Sequence, residues 1–400
     1  MRPLDGIRVL DLTRVLAGPY CTQMLADMGA EVLKVEHPKG GDETRRFGPP
    51  FVNGESAYFL SVNHGKRSLT IDFKHPGGRD LIQRLVAVSD VLVENFRPGV
   101  LARLGLGPAA LLERHPRLID ISITGFGHHG DEALVQKPGY DPILQNMSGI
   151  TSVTGPPDGE PFKAGASIAD VVAGIYGGYG AMTALYAREK TGRGQHVDVS
   201  LLDGQVSLLA YHAGFVAATG QAPPRHGNAH PTIVPYQTFA ARDGWVVIAA
   251  ANDKFFGKLA TALGHDEWLD DPRFAGNPKR VENRDSLIDQ IKPIIATRTV
   301  DEWVALLDQA GVPTSPVLDV AQVMRLPHLR ARDMVTSVEH PTAGSFEVTG
   351  VPVRLSETPG RVEGAPPLLG ADTDAVLRQV LGLDDAELRS LHDTGALGSR

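Results

Sequence analysis

The sequence predicts an α/β fold: a large doubly wound parallel-sheet domain of Rossmann-like pattern, followed by a smaller α+β domain. Three observations carry the prediction. Short β-branched apolar runs alternate with helical stretches as far as Ser200. A turn-rich loop, Gln221–Pro231 (QAPPRHGNAHP), then breaks the alternation. Beyond it, Ala241-Arg242-Asp243-Gly244 between two apolar runs is a hairpin signal.

The elements follow in order. Ile7–Leu12 and Glu31–Glu36 read as strands around a helix at Gly18–Met28, a βαβ unit. Ser68–Phe73, Val91–Glu94 and Leu118–Thr124 continue the strands, with a helix from Pro76 to Val88 and short helices up to His115. A glycine-rich helix after Asp170 leads to a strand at Gln195–Ser200 and a further helix over Leu201–Thr219. The second domain should hold strands at Tyr236–Ala240 and Trp245–Ala250, then helices at Asp253–Leu263, Arg284–Thr297 and Val300–Ala310. These signals divide the chain into 1–220, 225–315 and a tail, 316–400, that is too short and irregular to fold alone and should return to the large domain or to a partner subunit.

Composition narrows the function classes. The chain has 400 residues, 42% of them hydrophobic and 22% charged, enough for two globular domains. A net charge of −8 argues against nucleic acid as a partner, because affinity for a phosphate backbone is built from Lys and Arg. No uninterrupted apolar run reads as membrane-spanning, and the first residues lack a cationic segment followed by a pure apolar one, so the expectation is a cytoplasmic protein with no membrane partner. The single cysteine, Cys21, agrees with a reducing compartment, excludes a cysteine-based zinc cluster and reads as buried packing. No metal is expected, since the adjacent pair His128-His129 suits solvent better than one ion.

One acidic residue heads an uncharged, small-residue run, Gly165–Leu185 (GASIADVVAGIYGGYGAMTAL). Gly174, Gly177, Gly178 and Ala181 fall at i, i+3, i+4 and i+7, so a helix here carries one stripe without bulk along which another backbone can approach. Interior glycines cost about 1 kcal/mol each relative to alanine, so this helix must be stabilised by tertiary contacts. Asp170 occupies the cap or first turn, where the helix dipole and free N–H groups would keep a carboxylate ionised. An Asp before a helix is most often a cap alone, so its chemistry depends on the rest of the chain.

The loops at the strand ends define the ligand. The loop after the first strand, TRVLAGP, has no G-x-G-x-x-G, and Gly65-Lys66 lacks both the leading glycine and the trailing Ser or Thr of a phosphate-binding loop. Nicotinamide and nucleoside triphosphate chemistry are thereby disfavoured. The loops instead hold cations, Arg14, Lys39, Arg45, Arg46, Lys66, Arg67, Arg97 and Arg103, a phosphate-sized basic patch in an acidic chain.

Taken together, DLTRVLAGP, GAEVLKVEHPKGGDETR, NHGKRSLTIDFK, VLVENFRPG, ITGFG, GYD, the Asp170 helix and TGRGQHVDVSL resemble the family III CoA-transferases, the carnitine and formyl-CoA transferase type, over nearly the whole chain. The loop RHGNAHPTIVPYQTF is most similar to the branch that uses succinyl-CoA and glutarate or related dicarboxylates. The resemblance implies an interlocked homodimer, a CoA thioester as co-substrate with no tightly bound cofactor, and small-molecule acyl-CoA and carboxylic acid partners. It makes Asp170 the nucleophile and puts the CoA site on Val15, Leu16, Ala17, Lys66, Arg67, Asn95, Phe96, Arg103 and Lys137. Leu16 stands where formyl-CoA transferases carry glutamine, and their glycine-rich flap has no counterpart near Gly227.

Tyr140 occupies the position of the histidine in the Gly-His-Asp of the α-methylacyl-CoA racemases of the same family, and a phenol with a pKa near 10 is a poor acid/base substitute. Tyr140 therefore reads as acyl-pocket lining, with Arg46 and His230 as candidates to hold an acceptor's second carboxylate. The expected function is transfer of CoA between succinyl-CoA and a dicarboxylate through covalent Asp170 intermediates. The alternatives are a racemase-like isomerase with Asp170 as base, and a CoA-binding protein without catalysis.

Overall fold

A computed structural model describes residues 1–398 of the chain. Its six-stranded sheet consists of β1 (Arg8–Asp11), β2 (Glu31–Glu36), β3 (Lys66–Thr70), β4 (Val91–Glu94), β5 (Ile119–Thr124) and β6 (His196–Ser200). All neighbours are parallel, in the order β3-β2-β1-β4-β5-β6. The order reverses between β1 and β4, and in a doubly wound sheet the crevice outside the carboxyl ends of those two strands is the ligand site. The loops after Asp11 and Glu94 flank it.

Near-continuous apolar strands are what a sheet covered on both faces requires. Val9, Val32, Val91, Ile119 and Ile121 face one core, which also takes in Ala173 and Ala181. Leu10, Leu33, Leu69 and Leu92 face the other, closed by Leu81 and Leu85 of the helix Pro76–Ala87 and by Val376 and Leu377 of the C-terminal helix Thr373–Leu381.

Three helices shape the crevice: α1 (Ala17–Asp27), α2 (Asp141–Met147) and α3 (Ile168–Thr191). The small-residue stripe of α3 is buried as the spacing predicts, with Gly174, Gly177, Gly178 and Ala181 all inside. A β-carbon on Gly174 would lie 2.7 Å from the carbonyl oxygen of Ala17, and one on Gly177 2.9 Å from the sulfur of Cys21. Only glycine permits this approach of α3 to α1. The 24 residues of α3 are long and apolar enough to cross a membrane, which corrects the expectation that no stretch reaches that length. Here that apolar character serves packing, since one face of α3 lies in the first core.

The chain forms two compact units. The first comprises Met1–Ile150, Ala164–Ala213 and the chain from Pro327 onward; the second comprises Thr151–Lys163 and Gly214–Leu326. The expected boundaries therefore need correction: 214–220 and 316–326 belong to the second unit, so the tail returns to the large domain only from Pro327, and the second unit also takes in Thr151–Lys163. That segment is tied into the second unit by Gly227 N–H donating to the Gly155 carbonyl at 3.1 Å and by Arg225 donating to the carbonyls of Pro156 and Gly159. Within the second unit, Tyr236–Ala240 and Trp245–Ala249 pair antiparallel around the Asp-Gly turn, and Thr314–Pro316 adds a third strand. Two boundaries also move. The third sheet strand starts at Lys66 rather than Ser68, and the helix expected over Leu201–Thr219 breaks into Leu201–Ser207 and Tyr211–Thr219, with Ala210 in the left-handed region at φ 41°.

Candidate active site

The β1–α1 loop is organised by buried polar groups. Asp11, at the end of β1, accepts the Thr13 N–H at 2.8 Å through one oxygen and the Thr22 hydroxyl at 2.6 Å through the other. Asn95, just after β4, clamps the other side: its Oδ1 accepts the Arg14 N–H at 2.9 Å and its Nδ2 donates to the Arg14 carbonyl at 2.7 Å. The Arg14 guanidinium lies over the Phe96 ring, 5.1 Å from its centroid, and pairs with Glu43 at 2.6 Å. The two loops at the strand-order reversal are thus fastened to each other.

Asp170 enters from α3. The helix is capped at Ser167, whose side chain makes no cap hydrogen bond; instead Asp141, at the start of α2, accepts the Ala169 N–H at 2.9 Å. Gln145 holds Asp141 in place, donating to its other oxygen at 2.9 Å. Asp170 is therefore a first-turn residue and not the cap, and the cap is supplied from α2. This also reverses its electrostatics. Burial, and then the nearby negative charge of Asp141, push the Asp170 carboxyl up to about 7 instead of holding it low. The helix-end donor that would have stabilised its charge goes to Asp141. Among the described residues nothing hydrogen-bonds the Asp170 carboxylate, which leaves it available to react. Tyr58, which the sequence reading missed, is pushed up to about 12 by burial and by the charges of Asp170, Asp42 and Asp141, so it stays a hydroxyl donor.

Asp170 lines a cavity with Val15, Leu16 and Ala17 from the β1–α1 loop, Asn95 and Phe96 from the β4 loop, and Lys137 and Tyr140 ahead of α2. The structure thus brings together most of the residues singled out from sequence. A second, larger cavity of about 420 Å³ lies alongside, lined by Leu12, Val35, Ile71, Phe73 and Leu104 together with His37, Lys74 and Arg103 and the acidic Glu36, Asp42 and Asp72. Arg14 and Phe96 line both cavities, so a long ligand could pass from one to the other across them. His37, Phe73 and Lys74 were also missed; they follow β2 and β3, where the rule that ligands sit beyond strand carboxyl ends points.

Other expected residues lie elsewhere. Lys66 and Arg67 open β3, at the amino end of the sheet, opposite the crevice. The Lys66 ammonium is fully buried, donating to Asp11, Asn63 and the Pro19 carbonyl, and burial draws its pKa down to about 8. Arg67 pairs with Glu31 at 3.0 Å and donates to Gln379. Neither lines the two cavities, so neither is placed to hold a phosphate there. Arg45 is taken up by a two-point pair with Glu36 at 2.7 Å, while Arg46 is exposed and lines neither cavity. His230 belongs to the second unit, where its ring accepts the Thr232 N–H at 3.2 Å. Cys21 is fully buried and its thiol is pushed up to about 12, chiefly by burial, as suits packing.

Comparison with known proteins agrees with this geometry. Residues 4–373 match the family described as CoA-transferase family III. The succinyl-CoA:glutarate CoA-transferase of Homo sapiens is 40% identical over 398 residues, covering 99% of this chain and 90% of that protein. The acetyl-CoA:oxalate CoA-transferase of Acetobacter aceti is 41% identical, covering 96% and 97%. Among solved structures, a CAIB/BAIF family protein from Brucella suis superposes with a TM-score of 0.85 at 42% identity, covering 95% of this chain and 99% of that one. With the family match spanning residues 4–373 and relatives about 40% identical over nearly the whole chain, this protein belongs to CoA-transferase family III and is an enzyme of that family.

Proposed function

We propose that this enzyme transfers CoA from succinyl-CoA to a dicarboxylic acid such as glutarate, with Asp170 as the nucleophile. The observation that carries the reading is the Asp170 carboxylate itself, unbonded among the described residues and raised to about 7, in a cavity that adjoins a second one across Arg14 and Phe96. The larger, mostly apolar cavity, with Arg14, Lys74 and Arg103 in its lining, suits the nucleotide end of CoA, and the smaller one suits the thioester. The human relative acts on glutarate and the Acetobacter relative on oxalate, and this supports an acceptor with two carboxylates.

The steps balance without any redox change. The Asp170 carboxylate attacks the thioester carbonyl, the C–S bond breaks, and a mixed anhydride and CoA thiolate result. The thiolate attacks the aspartyl carbonyl, releasing the donor acid as its carboxylate and leaving an aspartyl-CoA thioester. The acceptor carboxylate then attacks this thioester, and the freed thiolate takes the acceptor acyl group from the new anhydride, restoring Asp170. Nucleophile and acceptor are both carboxylates, so each transfer of CoA from one thioester to the next is close to balanced, with the anhydrides as higher-energy intermediates.

Incubation with succinyl-CoA, followed by mass spectrometry of the peptide bearing Asp170, should reveal a CoA adduct, or a hydroxamate after hydroxylamine. Absence of both with every donor in a panel of acyl-CoAs overturns the reading. We further infer an interlocked homodimer, from the family resemblance and from the aromatic residues that α3 leaves exposed on its far side.

A further inference from the structure

Val15 lines the Asp170 cavity with φ at +69°. Of the four non-glycine residues in the left-handed region among those described, Val15, Asn53, Ala210 and Asp333, it is the one with a β-branched side chain, which opposes that conformation most strongly. Such a backbone persists only where the surroundings over-determine it. Two sets of polar ties do so here: Asn95 holds the N–H and the carbonyl of Arg14, and a buried ion pair holds the Val15 N–H. Asp42, 1% exposed, accepts the Val15 N–H at 3.2 Å through Oδ1, which also accepts the Thr44 N–H at 3.0 Å. Its Oδ2 meets Lys34 Nζ at 3.0 Å, and the same Nζ donates to the Thr13 carbonyl at 3.0 Å. The peptides on both sides of Arg14, the second of which carries the Val15 N–H, are therefore tied to one pair whose side chains are fully buried. Asp42 is itself fixed by its own N–H, which donates to Glu36 Oε2 at 3.0 Å.

A buried ion pair is a weak source of stability, because desolvation offsets most of its attraction. This one is joined to the strained residue of a cavity wall. We propose that Asp42, backed by Lys34, is a positioning residue for CoA transfer, holding Val15 left-handed so that the Val15–Ala17 main chain faces the reacting group above Asp170. The inference rests on the transfer reading given above; Asp42 also lines the larger cavity, so the effect that acts through Val15 is the part that depends on the residue at position 15.

Glycine at position 15 supplies the test, because it enters the left-handed region without strain. Single-turnover formation of the Asp170 adduct from succinyl-CoA is measured for the unaltered enzyme, Asp42→Ala, Val15→Gly and the double variant, alongside CoA affinity and melting temperature. Asp42→Ala should slow adduct formation about 10–100-fold when Val15 is present, and less than about 3-fold in the Val15→Gly background. A role confined to holding the fold together would lower the melting temperature and show no such rescue. Equal losses in both backgrounds, or no loss with Val15 in place, overturn the inference. Should Asp42→Ala fail to fold because Lys34 is stranded, the pair Asp42→Ala/Lys34→Met removes both charges and is compared across the same two backgrounds. An unaltered enzyme that forms no adduct with any donor defeats the transfer reading and this inference with it, whereas an adduct whose rate ignores Asp42 defeats this inference alone.

Discussion

At Asp170 one physical fact sets both reactivity and stability. Burial and Asp141 raise its pKa to about 7, so only its ionised fraction attacks. Single-turnover adduct formation should fall about tenfold per pH unit below 7 and level off above it. Asp141→Asn keeps an oxygen for the Ala169 N–H but removes the like charge, so the midpoint should move toward acid; an unmoved midpoint would assign the whole shift to burial. Stability carries the opposite sign. The folded value lies above the ordinary 3.8, so the fold disfavours the charged form: the penalty is absent below about 4, grows as pH rises to 7 and is full above that. Asp170→Asn should therefore abolish transfer while stabilising the protein by roughly 1–3 kcal/mol at pH 8, with little gain at pH 4, as read by urea unfolding at the two pH values. Equal stability at pH 8 would mean that Asp170 is better solvated than its raised pKa implies.

The helix that carries Asp170 separates what the sequence makes legible from what it hides. The glycine stripe of α3 was readable because it is a property of local spacing, and so were the strands, which are near-continuous apolar runs. The cap of α3 was not, because Asp141 reaches Ala169 from another helix, 28 residues back in the chain. Lys66 and Arg67 looked like phosphate ligands through the basic patch and the family resemblance, although they come at the start of their strand, the end away from the crevice. Tyr58 gave no periodic or motif signal and became visible only through the charges around it. The stripe yields a graded prediction. A β-carbon at Gly174 meets a backbone oxygen at 2.7 Å and one at Gly177 meets Cys21 and Ile123 within 3.0 Å, whereas one at Gly178 meets the flexible end of Met24 at 3.4 Å. Gly174→Ala and Gly177→Ala should each destabilise by about 1–3 kcal/mol and slow adduct formation by pushing α3 off α1. Gly178→Ala should be neutral or gain up to about 1 kcal/mol from helix propensity. Thermal melts of the three variants check the ordering, and a destabilised Gly178→Ala would break it.

At the scale of the molecule, the same helix has a second face. Opposite the glycines, Ile175, Tyr179, Met182 and Tyr186 fall at i, i+4, i+7 and i+11, between 41% and 67% exposed. Large apolar side chains in one continuous row mark a surface that another protein covers, and the interlocked homodimer proposed above would supply a second copy of this chain. Light scattering should then give about twice the 42.8 kDa chain mass. Interlocking makes a stricter demand than dimerisation. Two chains threaded through each other cannot part without unfolding, so subunit exchange is limited by the unfolding rate, which for stable domains runs to hours or days. Tagged and untagged dimers mixed under native conditions should form no hybrid over several hours, and should form it after joint unfolding and refolding. A mass equal to one chain removes the dimer. Hybrids appearing within minutes leave a dimer in which two separately closed chains meet across the tyrosine face of α3.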